Sequence, residues 1–459
     1  MNDCNHLAIL GGGPAGLAVG YYARKEGIPF TIYEAGSRLG GNCITLKHGD
    51  FLFDSGAHRL HDQDAGVTAE LRALLGDELR RINIPSLIYY SGKFVDFPLS
   101  PLNLIAALGI PTFARAAAEV VGTRLRRGKP ADNFKSFAVR KYGRTIAKRF
   151  LLDYSHKLWG ASCHRLSPNI AGKRMKGLSL GTFIKEALLG TKAKTKHLDG
   201  SFYYPRHGIG MIPEALASAC GDRHIRKNAE ITGIIHDGAR ITAVELIGGQ
   251  HIAVGSAVST LPLDRFAQMM TPNLPKKIVE LTKELRYRHV ALVALFLDRP
   301  SVTRAATLYF PGPEFPFTRV YEPRNRSPLM SPKGKTSLVV EIPCQSEDDT
   351  WAMPDRQLVT LVSEPLVRAG LIEKHQIMGS AVHRMISAYP VLEAGFEDKL
   401  ATVMNALESF PNLAFAGRNG RFAYVHIHDL MRRGEAIVAD FLTNGVARST
   451  AHRPHPGHS

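Results

Sequence analysis

Apolar residues fall in short runs broken by glycine turns from the start of the chain. Residues 6–10 form an apolar run that reads as a buried strand, and it leads straight into GGGPAG at residues 11–16. The spacing then turns helical to about Gly27, and PFTIYEA reads as a second strand with Glu34 near its end. Further on, ARITAVELIGGQHIAVGSAVSTLPL alternates apolar and polar positions around Gly248 and Gly249, which predicts a hairpin followed by a buried strand. VALVALFLD and SLVVEIP predict two more strands, and the stretch 87–202 reads as largely helical. Near the C-terminus, NLAFAGRNGRFAYVHIHDLMRRGEAIVADFL predicts a strand ending at Gly417, a loop, and a helix from near Asp429 to about Leu442. PLNLIAALGIPTFARAAAEVV is the most apolar segment, but Pro111 and Arg115 interrupt it. It reads as a buried helix pair or as a contact lying on a membrane surface. No apolar run reaches the ~18 residues a spanning helix needs, and no internal repeat is visible.

Composition narrows the partners. Apolar residues make up 44% of the 459 and charged residues 22%, which suits a folded chain of two or three domains. The formal charge of +17 favours an anionic partner: a phosphate or carboxylate compound, an acidic membrane surface, or nucleic acid. Eleven Lys and Arg between Arg115 and Arg149 face only Glu119 and Asp132, but no helix-turn-helix, RNP or zinc-finger pattern accompanies them, so nucleic acid is not expected. The five cysteines are scattered and form no CxxC pair, which argues against disulfides and zinc and for a reducing compartment. MNDCNHLAIL lacks the basic start and long apolar run of a signal peptide. A cytoplasmic protein is expected, with contact at the inner membrane surface left open. The Pro- and His-rich end, residues 446–459, reads as a disordered tail without a metal site.

The chemistry starts at the first turn. Gly11 permits a tight bend, Gly13 lets backbone approach a pyrophosphate, and Gly16 lets the following helix pack on the strand; Pro14 and Ala15 lie between. The helix N-terminus offers N–H groups to phosphate. Glu34, beside Ala35 and 18 residues after Gly16, accepts ribose hydroxyls in such units. Strand, glycines, helix, strand and acid in register make a dinucleotide-binding βαβ unit.

Directly after the acid come Arg38, Gly40 and Gly41, and the run from Glu34 to Gly41 resembles the FAD fingerprint of the flavin amine oxidoreductase superfamily. That group includes protoporphyrinogen oxidase, monoamine oxidase and UDP-galactopyranose mutase. NAEITGI resembles its adenine clamp at Ile231, VSTLPL its return strand, and the segment with Gly417, Arg418, Asp429, Leu430 and Met431 its closing FAD motif. The resemblance implies an α/β fold with a Rossmann-like FAD domain of the GR2 type. Its discontinuous segments are 1–86, 203–263 and 400–445. Residues 87–202 and 264–399 would form a mixed α+β substrate region with a largely helical insertion.

The same resemblance places FDSGAHRLHD behind the flavin, with Gly56 and Ala57 against the ring and His58 near it as a proton-trading imidazole. Asp54 is expected to order the turn. Arg59, His61, Trp159, Arg174, Tyr204, Arg319 and Tyr424 are expected on the substrate side, with His58, Arg174 and Tyr424 as catalytic candidates. YSHKLWG with Leu166, Ser167 and Arg174 is similar to the mutase pattern, whereas SFYYPRHGIGMIPEALA looks like the oxidase side. His426 and His428 stand where mutases carry acids. Three functions stay open: an FAD-dependent oxidoreductase taking a hydride from an anionic small molecule, a flavin-dependent isomerase of a nucleotide sugar, and a non-enzymatic flavin-binding scaffold.

Overall fold

The computed structural model describes residues 6–97, 99, 101–125, 131–171 and 201–445. Arg174 and the tail 446–459 lie outside the described residues. Two sheets organise the chain. The first is parallel, with strands in the order Leu413–Phe415, Ser256–Ser259, Leu7–Leu10, Phe30–Tyr33 and Ile225–Arg226. Leu7 pairs with both Ser256 and Phe30, so the first strand lies in the middle of the sheet.

All four residues of that central strand are fully buried because both faces are covered. Leu7 and Ile9 face the helices Pro14–Lys25, Met211–Cys220 and Ile427–Asn444. Ala8 and Leu10 face the opposite core, which contains Ile231, Ile234, Ile241 and Val244 of an antiparallel hairpin layer. The alternation of the strand thus feeds two cores at once. Gly434 lets the C-terminal helix approach the first helix: a Cβ there would come within 2.9 Å of the Ala18 carbonyl carbon. That helix runs from Ile427, two residues before the expected start, to Asn444.

The second sheet has seven strands, ordered Ile377–Pro390, Tyr287–Leu297, Thr336–Cys344, Arg319–Tyr321, Thr307–Tyr309, Ser86–Tyr90 and Lys93–Phe97. The last two correct the expectation that 87–202 is largely helical from its start. LIYYSGKFVDF alternates around Ser91 (φ +47) and Gly92 (φ +77), the left-handed pair of a tight hairpin turn. Helices follow at Pro101–Leu108 and Ile110–Leu125, joined at Gly109, then at Phe134–Ile146 and Asp153–Trp159. The broken apolar segment is therefore a helix pair. It buries Leu104, Ala116 and Val120 against Ile88, Ile146 and Phe150, while Leu102, Ile110 and Val121 stay exposed. No helix among the described residues is long and apolar enough to cross a membrane.

One face of the second sheet supports the site. Phe51 and Phe53, on the ribbon Thr45–His48 and Phe51–Asp54, pack on Val290, Leu292, Ala294 and Phe296. This packing carries the 54–62 turn to the junction of the two sheets. Asp64 then caps helix Ala65–Leu75 by accepting from the Val67 N–H at 3.0 Å. Arg432 of the C-terminal helix donates to both Asp64 oxygens at 2.7 Å. Those bonds come first in holding the Asp64 carboxyl down to about 2.

Asp64→Ala should cost about 1 kcal/mol of stability through the lost cap. Because the folded-state pKa is depressed, this stabilisation is present above pH ~4 and fades as pH falls toward ~2. Denaturant melts of both proteins between pH ~6 and ~3 check this. The gap between them should narrow on acidification.

Candidate active site

The glycine turn is built as the spacing requires. A side chain on Gly11 (φ +111) would run into Thr260, and one on Gly16 into the Gly11 carbonyl oxygen. Gly40 donates its N–H to the Gly12 carbonyl at 2.9 Å, so the second glycine turn is bonded onto the first. Gly13 and Gly41 then face each other, and a Cβ on Gly41 would lie 3.3 Å from the Gly13 Cα. The first helix starts at Pro14 with no side-chain cap from Gly13. The result is a side-chain-free cradle at a helix N-terminus.

Glu34 closes the far side. Its two oxygens accept from the Gly12 N–H at 2.9 Å and the Gly36 N–H at 2.8 Å. Each oxygen keeps a second lone pair for a hydroxyl donor. Ile231 is drawn to this acid by the chain before it: Ala229 N–H bonds to the Glu34 carbonyl at 2.9 Å and Asn228 N–H to that of Gly36 at 3.1 Å. Ala35 and Arg38 are exposed beside it. Gly417 (φ +86) packs on Ala15, where a Cβ would lie 3.2 Å from the Ala15 Cβ. Asp429 accepts from the His426 N–H at 2.9 Å in a capping box, with Leu430 half-buried beside it. Met431 is fully buried in the core under the first sheet, so its side chain serves packing.

Ser55 ties the 54–62 turn to the loop after Gly41: its Oγ accepts from the Ile44 N–H at 3.1 Å and donates to the Asn42 carbonyl at 2.8 Å. Asp54 is fully buried and accepts from Thr45 Oγ1 at 2.8 Å, Tyr204 Oη at 2.5 Å and the Ile209 N–H at 3.0 Å. Gly56 takes φ +139. Ala57 donates its N–H to Glu341 Oε1 at 2.8 Å. His58 lies with its Nε2 buried and without a hydrogen-bond partner among the described residues. Burial first, then the charges of Arg418, Arg326 and Arg319, push its pKa down to about 3. The imidazole is therefore neutral at physiological pH, able to accept or donate at a single nitrogen.

Two expected substrate residues lie elsewhere. Arg59 gives its Nη2 to Ser86 and Thr307, each at 2.7 Å, and stacks on Phe202. Tyr204 is buried behind the turn on Asp54. Both are held by polar partners that need a donor, and neither lines the cavity.

That cavity measures about 1500 Å³. His61, Trp159, Arg319 and Tyr424 are in its wall, as are Tyr154, Tyr309, Tyr389, His426 and Asp429. Part of its wall is an aromatic cluster, the throat, at Trp159, Tyr389 and Tyr424. Tyr389 and Tyr424 stack at 5.9 Å, and Trp159 meets both edge-on at 6.3 Å. Arg418 lies over both tyrosines, 4.8 Å from the Tyr424 ring and 5.4 Å from the Tyr389 ring. Its Nη1 and Nη2 donate to the Ala388 and Val425 carbonyls. Arg319 Nε donates to Glu341 Oε2 at 2.7 Å and Nη2 donates to Tyr389 Oη at 2.7 Å. A continuous chain of bonds thus runs from Tyr389 through Arg319 and Glu341 to the Ala57 N–H beside His58. Burial raises the Tyr154 and Tyr389 pKa values, so both remain phenols. The far arm is apolar, with Leu104, Phe113, Val120, Ile146 and Phe150.

Glu341 and Tyr389 were not among the expected residues. Glu341 did leave a signal: it is the one acid in SLVVEIP, and a carboxylate inside a buried strand must have a partner. Among the described residues no cluster of His, Cys, Asp and Glu is placed to hold a metal ion.

The chain belongs to the flavin containing amine oxidoreductase family, whose model matches residues 14–425. It is 23% identical over 471 residues to coproporphyrinogen III oxidase of Bacillus subtilis, covering 95% of this chain and 98% of that protein. It is 25% identical over 328 residues to chloroplastic protoporphyrinogen oxidase 1 of Arabidopsis thaliana, covering 65% of this chain and 60% of that one. In fold it is similar to reduced UDP-galactopyranose mutase, with a TM-score of 0.86 at 19% identity, over 97% of this chain and 96% of that one. The cofactor is FAD, and the protein is an oxidoreductase by family. The side-chain-free cradle and the partnerless His58 nitrogen fit that cofactor.

Glu34→Ala removes the carboxylate that closes the cradle. It should lower FAD occupancy after dialysis by roughly tenfold or more, checked by the flavin absorbance of the dialysed protein. Full occupancy would place the ribose elsewhere.

Proposed function

We propose that this protein is an FAD-dependent oxidoreductase that takes a hydride from a broad, largely apolar small molecule carrying acidic groups. The observation that carries the reading is the bonded chain that ties the aromatic, otherwise largely apolar cavity wall at Tyr389, through Arg319 and Glu341, to the Ala57 N–H next to the neutral His58.

The cavity wall does not carry the chain's positive excess. Lys141, Arg319 and Arg421 stand there with Glu397, Asp398, Glu408 and Asp429. Acidic groups of the substrate are therefore assigned to the throat, where Arg319 and Arg418 sit, and the apolar body to the arm. A tetrapyrrole such as coproporphyrinogen, the substrate named for the Bacillus subtilis relative, combines these features and is the first candidate.

The residues divide the work as follows. The N-terminal turn of the first helix, residues 11–16 with Gly40 and Gly41, takes the pyrophosphate, and Gly417 leaves room beside it. Glu34 takes the ribose hydroxyls and Ile231 meets the adenine. Gly56 and Ala57 keep the turn low enough for a flat ring, and His58 holds or receives a proton at Nε2. Trp159, Tyr389 and Tyr424 orient the substrate and exclude water. FAD, when bound, supplies the hydride acceptor.

The fold similarity to the mutase favours a second reading, isomerisation of a nucleotide sugar, with Tyr424 and Arg418 holding the diphosphate. An anaerobic titration separates the two. Bleaching of the flavin band by coproporphyrinogen III alone supports oxidation. Turnover of UDP-galactopyranose only after prior reduction, with no acceptor consumed, supports isomerisation and overturns the first reading.

His58→Ala should lower turnover by roughly 10²-fold or more with FAD still bound. Since His58 is neutral down to about pH 3, its titration should leave no inflection in the kcat profile between pH ~5 and ~8. An inflection there that disappears in His58→Ala would refute the assignment of a neutral imidazole.

A further inference from the structure

Lys157 is absorbed by no part of this reading, yet its environment is highly organised. Its Nζ lies 2.7 Å from the Phe310 carbonyl oxygen, 2.6 Å from that of Gly312, and 3.1 Å from those of Phe315 and Phe317. Four acceptors converge on a group with three N–H donors. A ring of backbone carbonyls around one point is how proteins coordinate a bare monovalent cation.

The loop is made for inward carbonyls. Its sequence, FPGPEFPF, has prolines at 311, 313 and 316, which cannot supply N–H groups to those oxygens. The Phe310, Phe315 and Phe317 rings pack on one another at 4.8–5.4 Å, which fixes the loop from the apolar side. Burial pulls the Lys157 pKa down to about 8 while Glu314 and Asp153 pull it up, so the cage holds an ammonium at neutral pH.

The cage also joins two walls of the throat. Lys157 belongs to helix Asp153–Trp159, which carries Tyr154 and Trp159 into the cavity. The loop is flanked by Tyr309, with Pro311 beside it, and both line the cavity too. Tyr154 and Tyr309 meet edge-on at 6.0 Å across the junction. Arg288 holds the same turn of the helix to the second sheet, donating to the Lys157 carbonyl at 3.3 Å and to the Pro343 carbonyl at 2.9 Å.

We propose that loop 310–317 is a monovalent-cation cage whose resident ion is the tethered ammonium of Lys157, a positioning residue that sets the spacing between the helical insertion and the second sheet. The inference is independent of the substrate. Trp159 reports on it: the chain has only one other tryptophan, Trp351, so a Trp351→Phe background isolates its emission.

In that background, holoprotein carrying Lys157→Ala should melt ~3–5 °C lower and show a red-shifted Trp159 emission. Ammonium or rubidium chloride should restore both, and tetramethylammonium chloride neither. Rubidium anomalous scattering should then place an ion among the four carbonyls. If Lys157→Ala does not fold on expression, its refolding yield in ammonium against tetramethylammonium chloride gives the same decision. Lys157→Met, similar in length but without charge or donors, should behave like Lys157→Ala without added ions. A Lys157→Met protein that melts and emits like its parent, or a Lys157→Ala protein indifferent to both small cations, overturns the proposal.

Discussion

The organisation of the site depends on satisfying one buried carboxylate. Asp54 is out of reach of water, and an unpartnered charge there would be strongly destabilising. Its partners come from across the chain: Thr45 on the adjacent strand, Tyr204 on the strand Ser201–Pro205, and the Ile209 N–H just before helix Met211–Cys220. Tyr321 of the second sheet bonds its main-chain oxygen, and Arg326 lies 3.9 Å from Oδ2. Burial pushes the Asp54 pKa up, against Arg326 and these hydrogen bonds. Three separated segments, at residues 45, 204–209 and 321–326, are thus fixed to one point, and Gly56, Ala57 and His58 follow it by two to four residues.

From this anchor the electrostatics follow. Burial, reinforced by the charges of Arg418, Arg326 and Arg319, keeps His58 neutral, while Glu341 ties Arg319 and the Ala57 N–H together. The second sheet does more than carry substrate residues. Through Glu341 it holds the turn, and through Tyr389 it reaches the throat. A change at the cavity wall therefore has a bonded route to the turn that carries His58.

Much of the first domain was legible because local rules determine it. Gly11, Gly16 and Gly41 leave no room or no φ for another residue, and Glu34 stands where the strand delivers it. His58 was visible as chemistry but not as a neutral group, since its charge state depends first on its burial and then on Arg418, Arg326 and Arg319, some 260 to 360 residues away. The bonds of Arg59 to Ser86 and Thr307 and of Tyr204 to Asp54 were hidden for the same reason: sequence shows a polar head but not the partner that claims it. Glu341, Tyr389 and the Lys157 cage are long-range constructions, formed only when strands distant in sequence lie side by side. The hairpin 86–97 was missed because its Ser-Gly turn stood beside a long helical stretch and was read as part of it.

The most direct measurement is a crystal structure of the holoprotein with FAD. The account predicts the adenosine between Glu34 and Ile231, the diphosphate on the turn at residues 11–16, and the isoalloxazine against Gly56 and Ala57 with His58 Nε2 hydrogen-bonded at its edge. A flavin ring lying away from the 54–62 turn, with His58 Nε2 still unpartnered, would contradict it.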